Sequence, residues 1–324
     1  MIRRTVHPAS VALQAALVAA PLGIVAVTQD NALLDSLNQV LLWAALALSW
    51  NILGGYARQV SVGHVAFYGI GAYTSTLLAM HAGLSPWLGM LVGGVLAASV
   101  GSILGLATFR LRGPFFTMAT IAFAEVMRIL AVNLRPITRG SEGLSIDSQP
   151  GFSRFVFADP RAYVLATWGL MLTVFLVSIW LDRSRTGMRL RAMREDESAA
   201  RALGVHTFRL RIAVLAASAF FTALCGTFYA QYLLLIDPDS VLGVDASLQM
   251  ALMSVVGGTG SAAGPLVGTY LIVPFGQALR AHLGSNLAGL HLVIYGIGLV
   301  LVLWRLPMGI WPGIESLIAG RRRP

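Results

Sequence analysis

Residues 162–181 read AYVLATWGLMLTVFLVSIWL and residues 212–234 read IAVLAASAFFTALCGTFYAQYLL; between them lies DRSRTGMRLRAMREDESAARALGVHTFRLR, residues 182–211. Each outer piece is uncharged and about as long as the roughly 20 residues a helix needs to cross 30 Å of hydrocarbon. The inner piece carries eight arginines. An apolar helix, a basic connector and a second apolar helix make a unit that lipid accommodates and a water-soluble core does not.

The rest of the chain repeats this unit. Of 324 residues 56% are hydrophobic and only 11% charged, with a mean hydropathy of +0.74, whereas soluble domains are about a quarter charged. Ten apolar runs emerge: Val11 to Thr28, Leu37 to Ile52, Val62 to Met80, Trp87 to Phe109, Phe115 to Leu134, Ala162 to Leu181, Leu210 to Leu234, Ala246 to Val256, Ala263 to His282 and Ala288 to Trp304. The eighth is too short to cross alone and reads as half of a broken helix. The expectation is an all-α, polytopic transmembrane bundle of about ten spans, a single domain over residues 1–324, broken or re-entrant at the eighth run and near Val60.

Charge sets the topology. The formal charge is +9, and all 23 basic residues are arginines placed in short segments between apolar runs, which is the pattern of membrane topology rather than of nucleic-acid binding. With the N-terminus inside, the inner segments hold 17 arginines and the outer ones 5, while Arg128 lies within a span. Both termini are therefore expected in the cytoplasm. Arg3-Arg4 ahead of Val11 has the look of a signal peptide; Gln14, Pro21 and the spans that follow favour an uncleaved first helix. The single cysteine, Cys225, sits in an apolar run and reads as a packing residue.

Several chemistries are missing. Without any lysine a complete Walker A loop cannot be built, so ATP hydrolysis would have to come from another polypeptide. No HExxH occurs, and His64, His81, His206, His282 and His291 are scattered over different spans and ends, so neither a metal site nor a bound cofactor is expected. Among fourteen acidic residues only Glu125 lies deep in a span. It stands three residues from Arg128 and shares its helix face; the pair reads either as a polar position lining a route or as a lock between helices.

Two polar segments remain. Residues 135–161 form an expected outer loop with short structure between Pro136 and Pro160. In the inner segment, Gly187 to Leu203 has helical composition and Gly204 is a C-terminal stop. An internal echo pairs GGYARQVSVGHVAFYGIGAY (54–73) with GGTGSAAGPLVGTY (257–270). It fits either corresponding interrupted segments of a duplicated transporter or small residues permitting close helix packing.

The string TGMRLRAMREDESAARALGVHTFRLRIAVLAASAFFTALCGTFYA (186–230) resembles the cytoplasmic loop and following helix of the branched-chain amino-acid permeases of ATP-binding-cassette importers. NILGGYARQVSVGHVAFYGIGAY (51–73), TIAFAEVMRIL (120–130), TRGSEGL (138–144) and MSVVGGTGSAAGPLVGTYL (253–271) agree with that family in the same order. The likeness runs from about Leu37 to Pro312, and length and the TRGSEGL loop favour the LivM-type subunit over the shorter LivH-type. Arg139 departs from the family, which commonly has a glycine there.

The resemblance implies the importer permease fold, a second homologous permease, two cytoplasmic ATPase subunits, an extracytoplasmic solute-binding protein and a bacterial inner-membrane location. It implies an ATPase-coupling set of Gly187, Arg191, Arg194, Glu195, Glu197, Ala200 and Gly204, with Asp196 and Arg201 completing the charged face. It also implies a substrate path along Gly54, Gly55, Ser61, Gly63, His64, Gly69, Tyr73, Glu125, Gly257, Gly258, Gly260, Ser261 and Gly264. The implied cargo is a branched-chain amino acid, with urea, amides or another amino-acid-like solute as alternatives. An ion-coupled secondary transporter would prefer several membrane carboxylates, and a membrane enzyme would need a nucleophile with its base; the residues favour neither.

Overall fold

The computed structural model describes residues 8–110, 114–147, 149–283 and, further on, 296–297, 300, 304–306 and 308–318. Its helices are α1 (Pro8–Val27), α2 (Asn31–Gly54), α3 (His64–Ala82), α4 (Pro86–Thr108), α5 (Phe115–Asn133), the short α6 (Arg135–Thr138), α7 (Pro160–Arg183), α8 (Arg185–Glu195), α9 (Glu197–Ala202), α10 (Thr207–Leu233), α11 (Pro238–Leu242), α12 (Val244–Gly257), α13 (Gly264–Leu283) and α14 (Ile310–Ile318). A two-residue ladder, β1 (Leu144–Ser145) antiparallel to β2 (Leu235–Ile236), ties the outer loop to the end of α10.

Among the described residues seven helical stretches are long and apolar enough to span a membrane: α1, α2, α4, α5, α7, α10 and the joined stretch Pro238–Gly257. The expected count of about ten is therefore not reached among the described residues. The run Ala288 to Trp304 lies largely outside them. Of similar length but outside the seven are α3 and α13; α3 is sheathed by protein and buries His64, Tyr68, Ser75 and Thr76, so its side chains need not suit lipid. The eighth run is half of an interrupted span. Asp237 caps α11, accepting from the Ser240 amide at 3.0 Å, and Gly243 (ψ 128°) turns the chain into α12.

Burial orders the bundle. In the apolar windows of α2 and α10, 61% of residues are buried, against 22% in α1 and α5, so the first two are central and the others peripheral. Exposed Leu91, Val95, Ile103 and Leu106 on α4 and Leu165, Leu176 and Trp180 on α7 form a surface suited to acyl chains. At the centre, α3 and α10 meet backbone to backbone: a Cβ at Gly226 would fall on the Tyr68 carbonyl, and one at Gly71 on that of Ala223. Thr227 donates to the Gly71 carbonyl at 3.0 Å. Overpacking costs about 1–3 kcal/mol where side chains can yield, and here the obstruction is main chain. Gly226→Val is expected to abolish the monodisperse folded peak on size-exclusion chromatography, while Val95→Ala on the outer face of α4 leaves it intact.

Loops segregate to two ends. At one, Thr117 donates to the Val60 carbonyl at 2.7 Å and Arg58 to the Arg194 carbonyl at 3.2 Å. At the other, Arg161 donates to the Thr28 carbonyl at 2.9 Å and Trp87 to that of Phe152 at 2.8 Å. Residues 135–161 cap this second end, held by Trp87 stacked on Phe155 at 3.9 Å and by Phe155 against Phe228 at 5.4 Å. Arg139 there has φ +57°, a conformation glycine adopts without strain. That is the physical reason a glycine suits the position.

Candidate functional site

The segment 182–211 is a folded helical corner. The single helix expected from Gly187 to Leu203 is two helices, because Asp196 is extended (φ −150°, ψ 111°) and starts α9 by accepting from the amides of Ser198 and Ala199 at 2.7 and 3.0 Å. In a run of strong helix formers, this carboxylate serves as an N-cap. Ser184 caps α8 through the Gly187 amide at 3.1 Å. Gly187 is needed because a Cβ would strike the Leu181 carbonyl.

Leu190, Met193 and Ala200 are buried beneath the corner, and Arg191 pairs with Asp182 at 2.9 Å. Outward stand Met188, Arg189, Glu195, Asp196 and Leu203, charge mixed with exposed apolar side chains. Gly204 (φ +82°) ends the corner. Beside it lies a recess of about 1260 Å³ whose lining includes Arg58, Arg110, Arg201, Arg209 and Arg211.

Glu197 anchors α9 to α10. Arg211 lies 2.7 Å from its carboxylate and Arg201 binds the other oxygen. Burial opposes ionisation of Glu197, but the two guanidiniums outweigh it and hold the carboxyl below the usual range. A depressed carboxyl stabilises the fold above its ordinary range, and that contribution is lost as pH falls through the lowered value. Glu197→Gln is therefore expected to lower the melting temperature at pH 7, with the difference from the unaltered chain shrinking as the solution is acidified towards pH 4.

The two glycine segments meet. Asn51, fully buried near the end of α2, accepts from the Gly260 amide and donates to the Ser261 carbonyl, both at 2.9 Å. A Cβ at Gly55 would collide with the Asn51 side chain and the Gly260 amide, and one at Gly260 with the Arg194 guanidinium. Gly257 and Gly264 bring α12 and α13 to main-chain contact, and Gly258 (φ +118°) abuts Pro312 at the start of α14. Gly54, Gly63 and Gly69 are likewise closed off, against Trp50, Thr120 and Leu242 respectively. Asn51 is the residue sequence reasoning missed; an asparagine ahead of paired glycines was its only trace.

His64 and Ser61 are interior. His64 contacts Ser61 Oγ at 3.0 Å and Ser218 Oγ at 2.7 Å, and Ser218 donates its one hydroxyl hydrogen to the Ser49 carbonyl at 2.6 Å. Ser218 must then accept from Nε2–H, leaving Nδ1 to accept from Ser61. A neutral ring so engaged joins α2, α3 and α10 and meets no open surface. Tyr73 is buried, and its hydroxyl has no partner among the described residues.

Glu125 lies elsewhere, on the outer face of α5. Arg128 donates Nε and Nη2 to its two oxygens at 3.1 and 2.7 Å and Nη1 to Asp239 of α11 at 3.0 Å. The side chains remain 41%, 33% and 78% exposed for Glu125, Arg128 and Asp239. Asp239 was not foreseen, because a residue beyond the end of α10 joins α5 only through the fold. Among the described residues no group of three His, Cys, Asp or Glu could hold a metal ion.

Seven lipid-length helical stretches among the described residues, a polar junction where two interrupted segments meet, and a capped helical corner at one end define a multi-pass membrane permease. The family described as the branched-chain amino acid transport system permease component matches residues 32–303, and the chain belongs to it. It is 29% identical over 302 residues to the high-affinity branched-chain amino acid transport system permease protein LivM of Escherichia coli K12, covering 86% of this chain and 69% of that one. To LivH of the same organism it is 27% identical over 294 residues, 85% and 93% of the two chains. The nucleoside ABC transporter permease protein NupC of Lactococcus lactis subsp. cremoris is 26% identical over 186 residues, 53% and 58% of the two.

Proposed function

We propose that the chain is the transmembrane permease subunit of an ATP-driven importer that passes branched-chain amino acids across a bacterial inner membrane into the cytoplasm. The names of the LivM and LivH relatives support the cargo. The partners are a second homologous permease, two ATPase subunits that hydrolyse ATP at the inner face, and a solute-binding protein on the outer side; the chain itself holds no cofactor. The observation that carries this reading is the α8–α9 corner, whose Arg194 reaches both glycine segments.

In this reading Gly187, Arg191, Arg194, Glu195, Glu197, Ala200 and Gly204 shape and orient the docking corner. Charges on its outer face select the partner and its orientation more than they add affinity. The glycine segments are the moving joint beside the route, and Glu125 stands on the route. Arginine segregation supports an inner location for the corner: Arg58, Arg110 and the eight from Arg183 to Arg211 gather at its end of the bundle, while Arg135, Arg139, Arg154 and Arg161 lie at the other.

The test is reconstitution in vesicles with the ATPase subunits, the second permease and the binding protein. Leucine, isoleucine or valine uptake that requires ATP is the expected outcome. Uptake by this chain alone under a proton or sodium gradient overturns the reading.

A further inference from the structure

We propose that the recess between the start of α2, the start of α7 and the end of α10 is a binding site for a primary ammonium on a small apolar body, with Asp35 and Asn38 as its acceptors. The site goes beyond the permease reading and rests on it only for the side it faces. It opens at the end of the bundle where Arg161 meets Thr28, opposite the α8–α9 corner, which that reading sets outside.

The recess holds about 290 Å³ and is lined by Leu34, Asp35, Asn38, Phe157, Tyr163 and Tyr232, with Asn31 at its rim. Ligand sites run from about 300 to 1,000 Å³, so the occupant is small. Asn38 stands about 10 Å along α2 from Asn31 at 1.5 Å per residue, which gives the recess depth.

An amide at that depth has an end with nothing to bind. Asn38 is 1% exposed, and one end of its amide is without a partner among the described residues. Thr167 Oγ1 lies 2.8 Å from the Tyr163 carbonyl and also against the Asn38 amide. Its one hydrogen goes to the carbonyl, which can only accept, so Asn38 donates to Thr167 through Nδ2–H. The amide oxygen is then the free end. A buried polar group left unpaired is a place for a further polar partner.

Charge selects that partner. Asp35, three residues earlier, shares the helix face of Asn38; Gln39 donates to its Oδ2 at 3.2 Å, and among the described residues no arginine or histidine pairs with it. Two free acceptors, one of them ionised, call for a cation that donates several hydrogens. Tyr163 offers an anion nothing, since its hydroxyl accepts from the Phe157 amide at 3.2 Å and donates to the Gln231 carbonyl at 3.5 Å. Phe157 meets Tyr163 edge to face at 5.0 Å, and Tyr163 meets Tyr232 likewise at 5.3 Å. Such an aromatic wall covers an apolar body and attracts a cation.

The ammonium has two sources, a dissolved amine or amino acid and the headgroup of phosphatidylethanolamine, and one experiment separates them. Cys225, the single native cysteine, is buried, so Asn31→Cys at the rim supplies one accessible thiol in this chain. In the transporter assembled with cysteine-free partners in phosphatidylglycerol nanodiscs, a water-soluble thiol reagent is expected to label it. Millimolar isoamylamine and leucine should slow the labelling, while N-acetylleucine, which has no ammonium, should not. Slowing that comes only when phosphatidylethanolamine is added to the nanodisc assigns the site to the lipid headgroup.

Asp35→Asn is expected to raise the protecting concentration about tenfold, the loss of one charge contact. Tyr232→Leu, which keeps apolar volume but removes a ring, should raise it severalfold, and serves where the first variant fails to assemble. A thiol that stays unlabelled, a labelling rate equal under all conditions, or protection by N-acetylleucine equal to that by leucine overturns the site. Labelling needs no ATP, so these outcomes leave the permease reading standing, and failure of ATP-driven uptake removes that reading without touching them.

Discussion

Gly187→Val is expected to uncouple the permease from its ATPase subunits. A Cβ at this position meets the Leu181 carbonyl, a main-chain atom in the last turn of α7. The obstruction is again main chain, so the corner between α7 and α8 must open at more than the about 1–3 kcal/mol of side-chain overpacking, upwards of about a hundredfold in docking affinity if the docked state requires the closed corner. Leu190 and Met193 would then lose their seat and the Arg191–Asp182 pair its geometry. Co-purification of the ATPase subunits and ATP-driven uptake should fall together, while the variant chain still extracts as a folded monomer. Retention of both at normal levels would show that the corner is not what the partner reads.

Asn51→Leu should give a different failure. Leucine has about the right volume but leaves the Gly260 amide and the Ser261 carbonyl without partners in a partly buried site, at most about 1–3 kcal/mol for each stranded group. Asn51 is the direct tie between α2 and the 258–263 turn, and that turn touches Arg194 of the corner. ATPase subunits should still dock and hydrolyse ATP, because α8 and α9 keep their own caps and seats, but solute moved per ATP should drop steeply. Asn51→Asp keeps the acceptor for Gly260 and sets a carboxylate against the Ser261 carbonyl, so it is expected to be no better. The ratio of uptake to hydrolysis measures the effect; a ratio equal to that of the unaltered chain would sever the junction from the coupling route.

Hydropathy and arginine placement made the class legible. Apolar runs of membrane length predicted α1, α4, α5, α7 and α10 to within a few residues, because lipid demands the same composition of any helix that faces it, while α2 begins at Asn31, six residues before its expected start at Leu37. The interrupted eighth span showed in its shortness. Less legible was α8–α9: Asp196 has the helical neighbours of a continuous run, and only backbone geometry reveals it as a cap. The family resemblance set His64 on the substrate path, and its partners were not legible there. Its two serine partners come from Ser61 nearby and from Ser218, 154 positions away, and no local pattern announces the second.

From sequence alone it follows that this chain lives in lipid, that its arginines gather on one side, and that a chain without lysine carries no complete Walker A loop. These are properties of composition and of spacing along one strand of residues. Which polar groups meet was decided only by the tertiary fold. Asn51 with Gly260 and Arg128 with Asp239 stand 209 and 111 positions apart, and such pairs exist because the packing of α2, α3 and α10 sets where every peripheral segment must end.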